Sequence, residues 1–177
     1  MASDDKPRPK IEPSRESSSD SATLGAARPT DTPLPVSRGF VDGIPHNHAL
    51  GMCVREFQRA EVIFELPYDP KLVGNPDTGV IHGGALTALL DAASGASVFA
   101  ALTEWKPIAT LDLRIDYLRA GEAGRAILCR ASCYKLTRNV AFTRAVAYHE
   151  DEADPIATSM GTFMIGTKSG GPKQDKP

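Results

Sequence analysis

The 177-residue chain lacks a basic excess: 20 Lys and Arg stand against 22 Asp and Glu, for a formal net charge of −2. A protein that grips nucleic acid by its phosphates needs clustered positive charge, so nucleic acid is not an expected partner. No apolar stretch of the kind a secretory signal carries lies near Met1. Cysteine is sparse and odd in number, at Cys53, Cys129 and Cys133. If the segment around the last two is a strand, they share a face roughly 13 Å apart, too far for a disulfide. A reducing, cytoplasmic setting is expected. The longest apolar run, residues 85–102, is interrupted by Asp91 and several Ser and Thr. It reads as a buried helix rather than a membrane span, and no membrane partner is expected. There is no internal repeat.

Large apolar side chains are nearly missing from both ends. Residues 1–35 are mostly Ser, Pro, Asp, Glu, Lys and Arg, with Ser17-Ser18-Ser19-Asp20-Ser21 of low complexity. Such a segment cannot bury enough apolar area to offset its ordering entropy. We therefore expect a disordered tail over 1–35, one folded domain over 36–167 and a flexible tail over 168–177.

Within the domain, the pattern predicts a short helix over 36–43 and a loop over 44–48. Strands follow at 52–57 and 60–66, where Val62, Phe64 and Leu66 form one face. Residues 67–79 form a loop rich in Pro, Gly, Asn and Asp. A long helix runs over 83–103. The period then becomes two. In 110–118, Leu111, Leu113, Ile115 and Tyr117 share a face, with Thr110, Asp112, Arg114 and Asp116 opposite. Further strands lie at 125–136, with Ile127, Cys129, Ala131 and Cys133 on one face, and at 140–149 and 156–165. The fold class is α+β: one long helix packed on a curved antiparallel sheet.

An acid inside an apolar helix is costly unless partnered or put to use. On the long helix, Thr87, Asp91, Ser94 and Ser97 are spaced by four, three and three and form one polar stripe. Two readings stand: a solvent-facing stripe, or the lining of a cavity. His82-Gly83-Gly84 opens the same helix. The first backbone N–H groups of a helix lack internal partners and the dipole is positive there, so this turn suits an oxyanion or a polarised carbonyl. The other reading is a glycine turn with His82 as a cap. Asp91 lies eight residues beyond Gly83, roughly 12 Å along the axis. A base and an oxyanion hole acting on one carbonyl cannot be that far apart. If both are catalytic, the site combines two subunits.

These residues resemble the PaaI-like branch of the hotdog-fold acyl-CoA thioesterases. The resemblance rests on Gly79-Val80-Ile81-His82-Gly83-Gly84, Leu90-Asp91, Gly95, the segment from Thr110 to Arg119, Gly161-Thr162-Phe163, and Ile44-Pro45 with Leu50-Gly51. It covers about 36–167. It implies a helix wrapped by an antiparallel sheet, homodimers that often assemble to homotetramers, and hydrolysis of acyl-CoA without a cofactor. It also implies that Asp91 is the general base or nucleophile. Gly83 would polarise the thioester carbonyl through its N–H, His82 would lie beside the thioester, and Thr110 would help place the water. Gly84 and Ser94 would contact substrate. The family's asparagine, six residues before the histidine, is Pro76 here, with Asn75 one residue further away. Arg114, Arg119, Lys135 and Arg138 are candidates for the phosphates of coenzyme A, with ordinary surface charge as the competing reading. His46 and His48 have ligand-like spacing, but nothing completes a metal site. The competing functions are an acyl-thioester dehydratase or hydratase on the same fold, and a non-catalytic acyl-CoA sensor.

Overall fold

The computed structural model describes residues 43–167. The two tails and the helix expected over 36–43, apart from Gly43, lie outside the described residues. A short helix α1 (Pro45–Ala49) leads into a hairpin of β1 (Cys53–Gln58) and β2 (Glu61–Leu66). A 3-10 turn (Pro70–Leu72) precedes a two-stranded ribbon, β3 (Val73–Asn75) and β4 (Val80–Ile81). The long helix α2 (Gly83–Ala101) follows, then β5 (Ile108–Tyr117), β6 (Ile127–Leu136), β7 (Val140–Tyr148) and β8 (Ala157–Ile165). The main sheet is antiparallel with strand order β1-β2-β6-β7-β8-β5. It wraps α2, as the α+β reading expects.

Helix α2 forms because Ala and Leu dominate it and no proline interrupts it. Its length and apolar content would suffice to cross a membrane, but it is the core helix of this domain. Leu89, Leu90, Ala93 and Ala96 are wholly buried against Phe64, Leu66 and Cys129 of the sheet. Full burial of each leucine contributes about 1.5–3 kcal/mol. The alanines let strand side chains reach the helix backbone. On β6, Ile127, Cys129, Ala131 and Cys133 all face inward, as their alternation predicts. The three cysteines are free thiols.

Three local features differ from the sequence expectation. Residues 45–49 are helical rather than loop. Pro45 begins that helix at its first turn, where its missing N–H costs nothing. Gly51, at φ +70°, ends it: its N–H reaches His48 O at 2.9 Å, and Met52 N reaches Asn47 O at 3.1 Å. The loop over 67–79 contains the β3–β4 ribbon, held by Val73 pairing Ile81 and Asn75 pairing Val80. Strand β5 carries a bulge at Leu111, because Thr110 pairs Phe163 while Asp112 pairs Thr162. The extra residue turns Thr110 onto the helix-facing side with Leu113 and Ile115, opposite to simple alternation. Leu111 itself is left exposed.

Among the described residues, strand β5 is hydrogen-bonded only to β8, and its other edge is open. Leu111, Tyr117 and Leu118 stand exposed on or just past this strand. An open edge flanked by apolar groups is a template for pairing with another chain.

Candidate active site

The β3–β4 ribbon positions His82. Gly79, at φ +71°, turns the ribbon, and His82 N donates to Leu72 O at 2.8 Å. Gly74 lies against the histidine so closely that a Cβ there would sit 2.8 Å from His82 Cα. His82 then caps α2. Its backbone is extended, at φ −62° and ψ 135°, and its Nδ1 accepts from Gly84 N at 2.9 Å. A Cβ on Gly84 would meet that ring nitrogen at 2.9 Å, so glycine is what lets the ring close over the turn. Ala85 N donates to His82 O at 3.0 Å. Of these first three donors, the Gly83 N–H alone has no partner among the described residues. It is an open hydrogen-bond donor at the positive end of a 19-residue helix.

Asp91 lies half-buried two turns further along α2. Thr110 Oγ1 donates to Asp91 Oδ1 at 2.9 Å, a contact that exists because the Leu111 bulge turns Thr110 inward. The polar stripe divides. Thr87 and Asp91 remain partly open, whereas Ser94 and Ser97 are fully buried. Each three-residue step falls about 60° short of a full turn, so the serines rotate toward the sheet. Ser97 donates to Ser94 O at 2.7 Å, and Ser94 Oγ is buried with no hydrogen-bond partner among the described residues. The stripe is therefore neither a solvent face nor one cavity lining.

Other expected site residues are placed elsewhere. Asn75 is occupied in its own turn: Oδ1 accepts from Asp77 N at 3.0 Å, and its carbonyl accepts from Gly79 N at 2.9 Å. Arg114 lies on the outer face of the sheet and pairs with Asp116 at 3.0 Å. Arg119 is tied to Asp154 at 2.9 Å. Lys135 and Arg138, by the β6–β7 turn, are exposed and form no ion pair among the described residues. No cluster of three metal-ligating side chains occurs among the described residues.

On the Gly84 side of His82 lies a cleft of about 330 Å³. Leu50, Leu72, Val73 and Ala85 supply its apolar lining, and His46 and Lys71 its polar rim. Lys71 is held by Asp69 at 2.9 Å, and that hydrogen bond keeps the Asp69 carboxyl below the usual carboxylate range.

Tyr117 is the site neighbour that sequence reasoning missed. Its hydroxyl reaches Gly83 O at 3.1 Å and Thr87 Oγ1 at 2.7 Å, while Thr87 Oγ1 reaches the same carbonyl at 3.0 Å. Alternation placed Tyr117 with Leu113 and Ile115, but nothing in the pattern named its partner.

The thioesterase superfamily model matches residues 78–156, a span that holds the α2 N-terminus, Asp91 and Thr110. The medium/long-chain acyl-CoA thioesterase YigI of Escherichia coli K12 is 32% identical over 144 residues, covering 74% of this chain and 92% of that protein. The chain belongs to the thioesterase superfamily. The thioesterase fold recurs in a solved structure from Pseudomonas aeruginosa, 40% identical, covering 72% of this chain and 95% of that one, with a TM-score of 0.67. It recurs again in a variant of the phenylacetic acid degradation protein PaaI from Thermus thermophilus, 27% identical, covering 68% and 98%, with a TM-score of 0.60. This thioesterase is a hotdog-fold thioester hydrolase.

Proposed function

We propose that this thioesterase hydrolyses acyl-CoA thioesters to free acid and CoA at a site shared between two subunits. The observation that carries the reading is the open Gly83 N–H at the start of α2, with Asp91 and its Thr110 partner eight residues further on. That separation, roughly 12 Å along the axis, is too long for both to serve one carbonyl within one subunit. The name of the YigI relative supports acyl-CoA as the substrate class, with medium or long chains as the first to try.

In the proposed reaction, Gly83 N–H donates to the thioester oxygen, with His82 beside it. Asp91 of the partner subunit takes a proton from water held with Thr110. The water oxygen attacks the carbonyl carbon, negative charge collects on the carbonyl oxygen, and Gly83 N–H stabilises it. The C–S bond then breaks, and CoA leaves with its sulfur carrying the electron pair and taking up a proton. Direct attack by the Asp91 carboxylate would give an anhydride that water then opens.

The open β5 edge supports the pairing. A two-fold axis through the middle of β5 would set Thr110 of one subunit across from Tyr117 of the other. Asp91 of one subunit would then approach Gly83 of its partner. The exposed cations Lys135 and Arg138 suit the CoA phosphates. A second interface to a tetramer would use the outer face, where Tyr134, Met160 and Met164 are exposed. The three free thiols favour a cytoplasmic setting.

The test is free-thiol release from a panel of acyl-CoA substrates. Asp91→Asn should fold and keep its oligomeric state, yet lose about 10²–10⁴-fold in turnover. Refolding it together with an inactive variant altered at Gly83 should restore about a quarter of wild-type activity. Half the dimers are then mixed, and each has one intact site of two. An active Asp91→Asn protein would remove Asp91 from the mechanism. No recovery on mixing would place the whole site within one subunit.

A further inference from the structure

We propose that Tyr117 is a positioning residue for this reaction, acting on the oxyanion donor and on His82 through the Gly83–Gly84 peptide. The inference rests on the thioesterase reading above. The ring lies close enough to Gly83 that a Cβ there would meet its Cε1 edge and its hydroxyl at 3.6 Å. The hydroxyl reaches the Gly83 carbonyl at 3.1 Å. Ring and hydroxyl together hold the turn whose free N–H faces the substrate.

Tyr117 comes from β5, a strand hydrogen-bonded to the rest of the sheet, whereas the turn it grips is the end of a helix. The contact therefore ties the oxyanion donor to the sheet. A donor held before the reaction costs no reorganisation when charge develops on the carbonyl oxygen.

The same contact reaches His82. A donor on a peptide carbonyl polarises that peptide and strengthens its N–H. The peptide in question joins Gly83 O to Gly84 N–H, and Gly84 N–H is the donor to His82 Nδ1. With Nδ1 accepting, the neutral ring carries its proton on Nε2. Tyr117 thereby favours the tautomer in which His82 offers Nε2–H as a donor to the thioester. Thr87 is the second hydroxyl on this carbonyl. Three oxygens within 3.1 Å share two hydroxyl protons, so neither hydroxyl is a spare copy of the other.

Tyr117→Phe tests this, since phenylalanine keeps the ring against Gly83 and removes only the hydroxyl. Two measurements are made on the full-length protein: steady-state acyl-CoA hydrolysis, and ¹⁵N ring signals of His82. Tyr117→Phe should lower kcat about tenfold with KM within about twofold, the pattern of a lost transition-state contact. It should also move the His82 signals from the Nε2–H form toward a tautomer mixture. An unchanged kcat overturns the proposal. So does a fall in kcat/KM carried by KM alone, or a fall in kcat with His82 signals unmoved. If the wild-type protein releases no CoA, the thioesterase reading fails, while the His82 signals still show whether Tyr117 sets the tautomer.

Discussion

Replacing Gly83 by proline removes one hydrogen atom from the proposed mechanism and almost nothing from the fold. Gly83 is the first residue of α2, a position where proline is favoured because its fixed φ near −65° is already helical. The preceding residue, His82, is extended at ψ 135°, as a residue before proline must be. The lost N–H supports no hydrogen bond among the described residues. Proline also narrows the unfolded ensemble relative to glycine, which stabilises by about 0.4–1 kcal/mol where the native backbone allows it. Tm should therefore hold or rise slightly. Loss of one oxyanion donor should lower kcat about 10²–10³-fold, or about 2.7–4 kcal/mol of transition-state stabilisation. Gly83→Ala is the control: it keeps the N–H, and its Cβ meets the Tyr117 ring at an ordinary 3.6 Å. The assay is thiol release under saturating acyl-CoA, with calorimetry on the same preparations. Turnover by Gly83→Pro within about threefold of wild type would refute the reasoning, since removal of a genuine oxyanion donor costs far more. Equal damage from Gly83→Ala would refute it too.

Thr110→Val removes the donor to Asp91 while keeping the β-branched shape. A hydrogen bond to a carboxylate is worth about 1.5–3 kcal/mol, and Thr110 is exposed, so the lower end applies: kcat should fall about tenfold. Thr110→Ser should retain most activity, and steady-state kinetics on the pair checks both. Gly74→Val pushes on the His82 backbone itself, so kcat/KM should drop while the circular dichroism spectrum stays native. Leu90→Ala opens the core beneath Asp91 and should cost about 2–5 kcal/mol, read from denaturant unfolding. Burial pushes the Cys129 and Cys133 thiols up, which disfavours the reactive thiolate. A thiol reagent in mildly alkaline buffer should therefore label only half-buried Cys53 in the native protein, and all three cysteines after unfolding.

Much of this site is written in local sequence. Period-two alternation located β6, β7 and β8 to within about a residue or two, because one face of each is buried. The apolar run and His82-Gly83-Gly84 marked α2 and its start. Short elements were harder. Residues 44–48 read as loop although Pro45 begins a helix there, since a proline at the first turn of a helix and one in a loop look alike in sequence. The β3–β4 ribbon is two and three residues long and offers no period to detect.

The sequence by itself determined the α+β class, the capped helix and the spacing of Gly83 and Asp91, because each follows from residues near one another in the chain. Only the tertiary structure decided which side chains meet across it. The bulge at Leu111 is set by pairing with β8, through Phe163 and Thr162 far along the chain, and it turns Thr110 from the outer face to Asp91. Tyr117 reaches Gly83 across 34 residues. Strand register is a property of two segments together, so no pattern within one of them could reveal it.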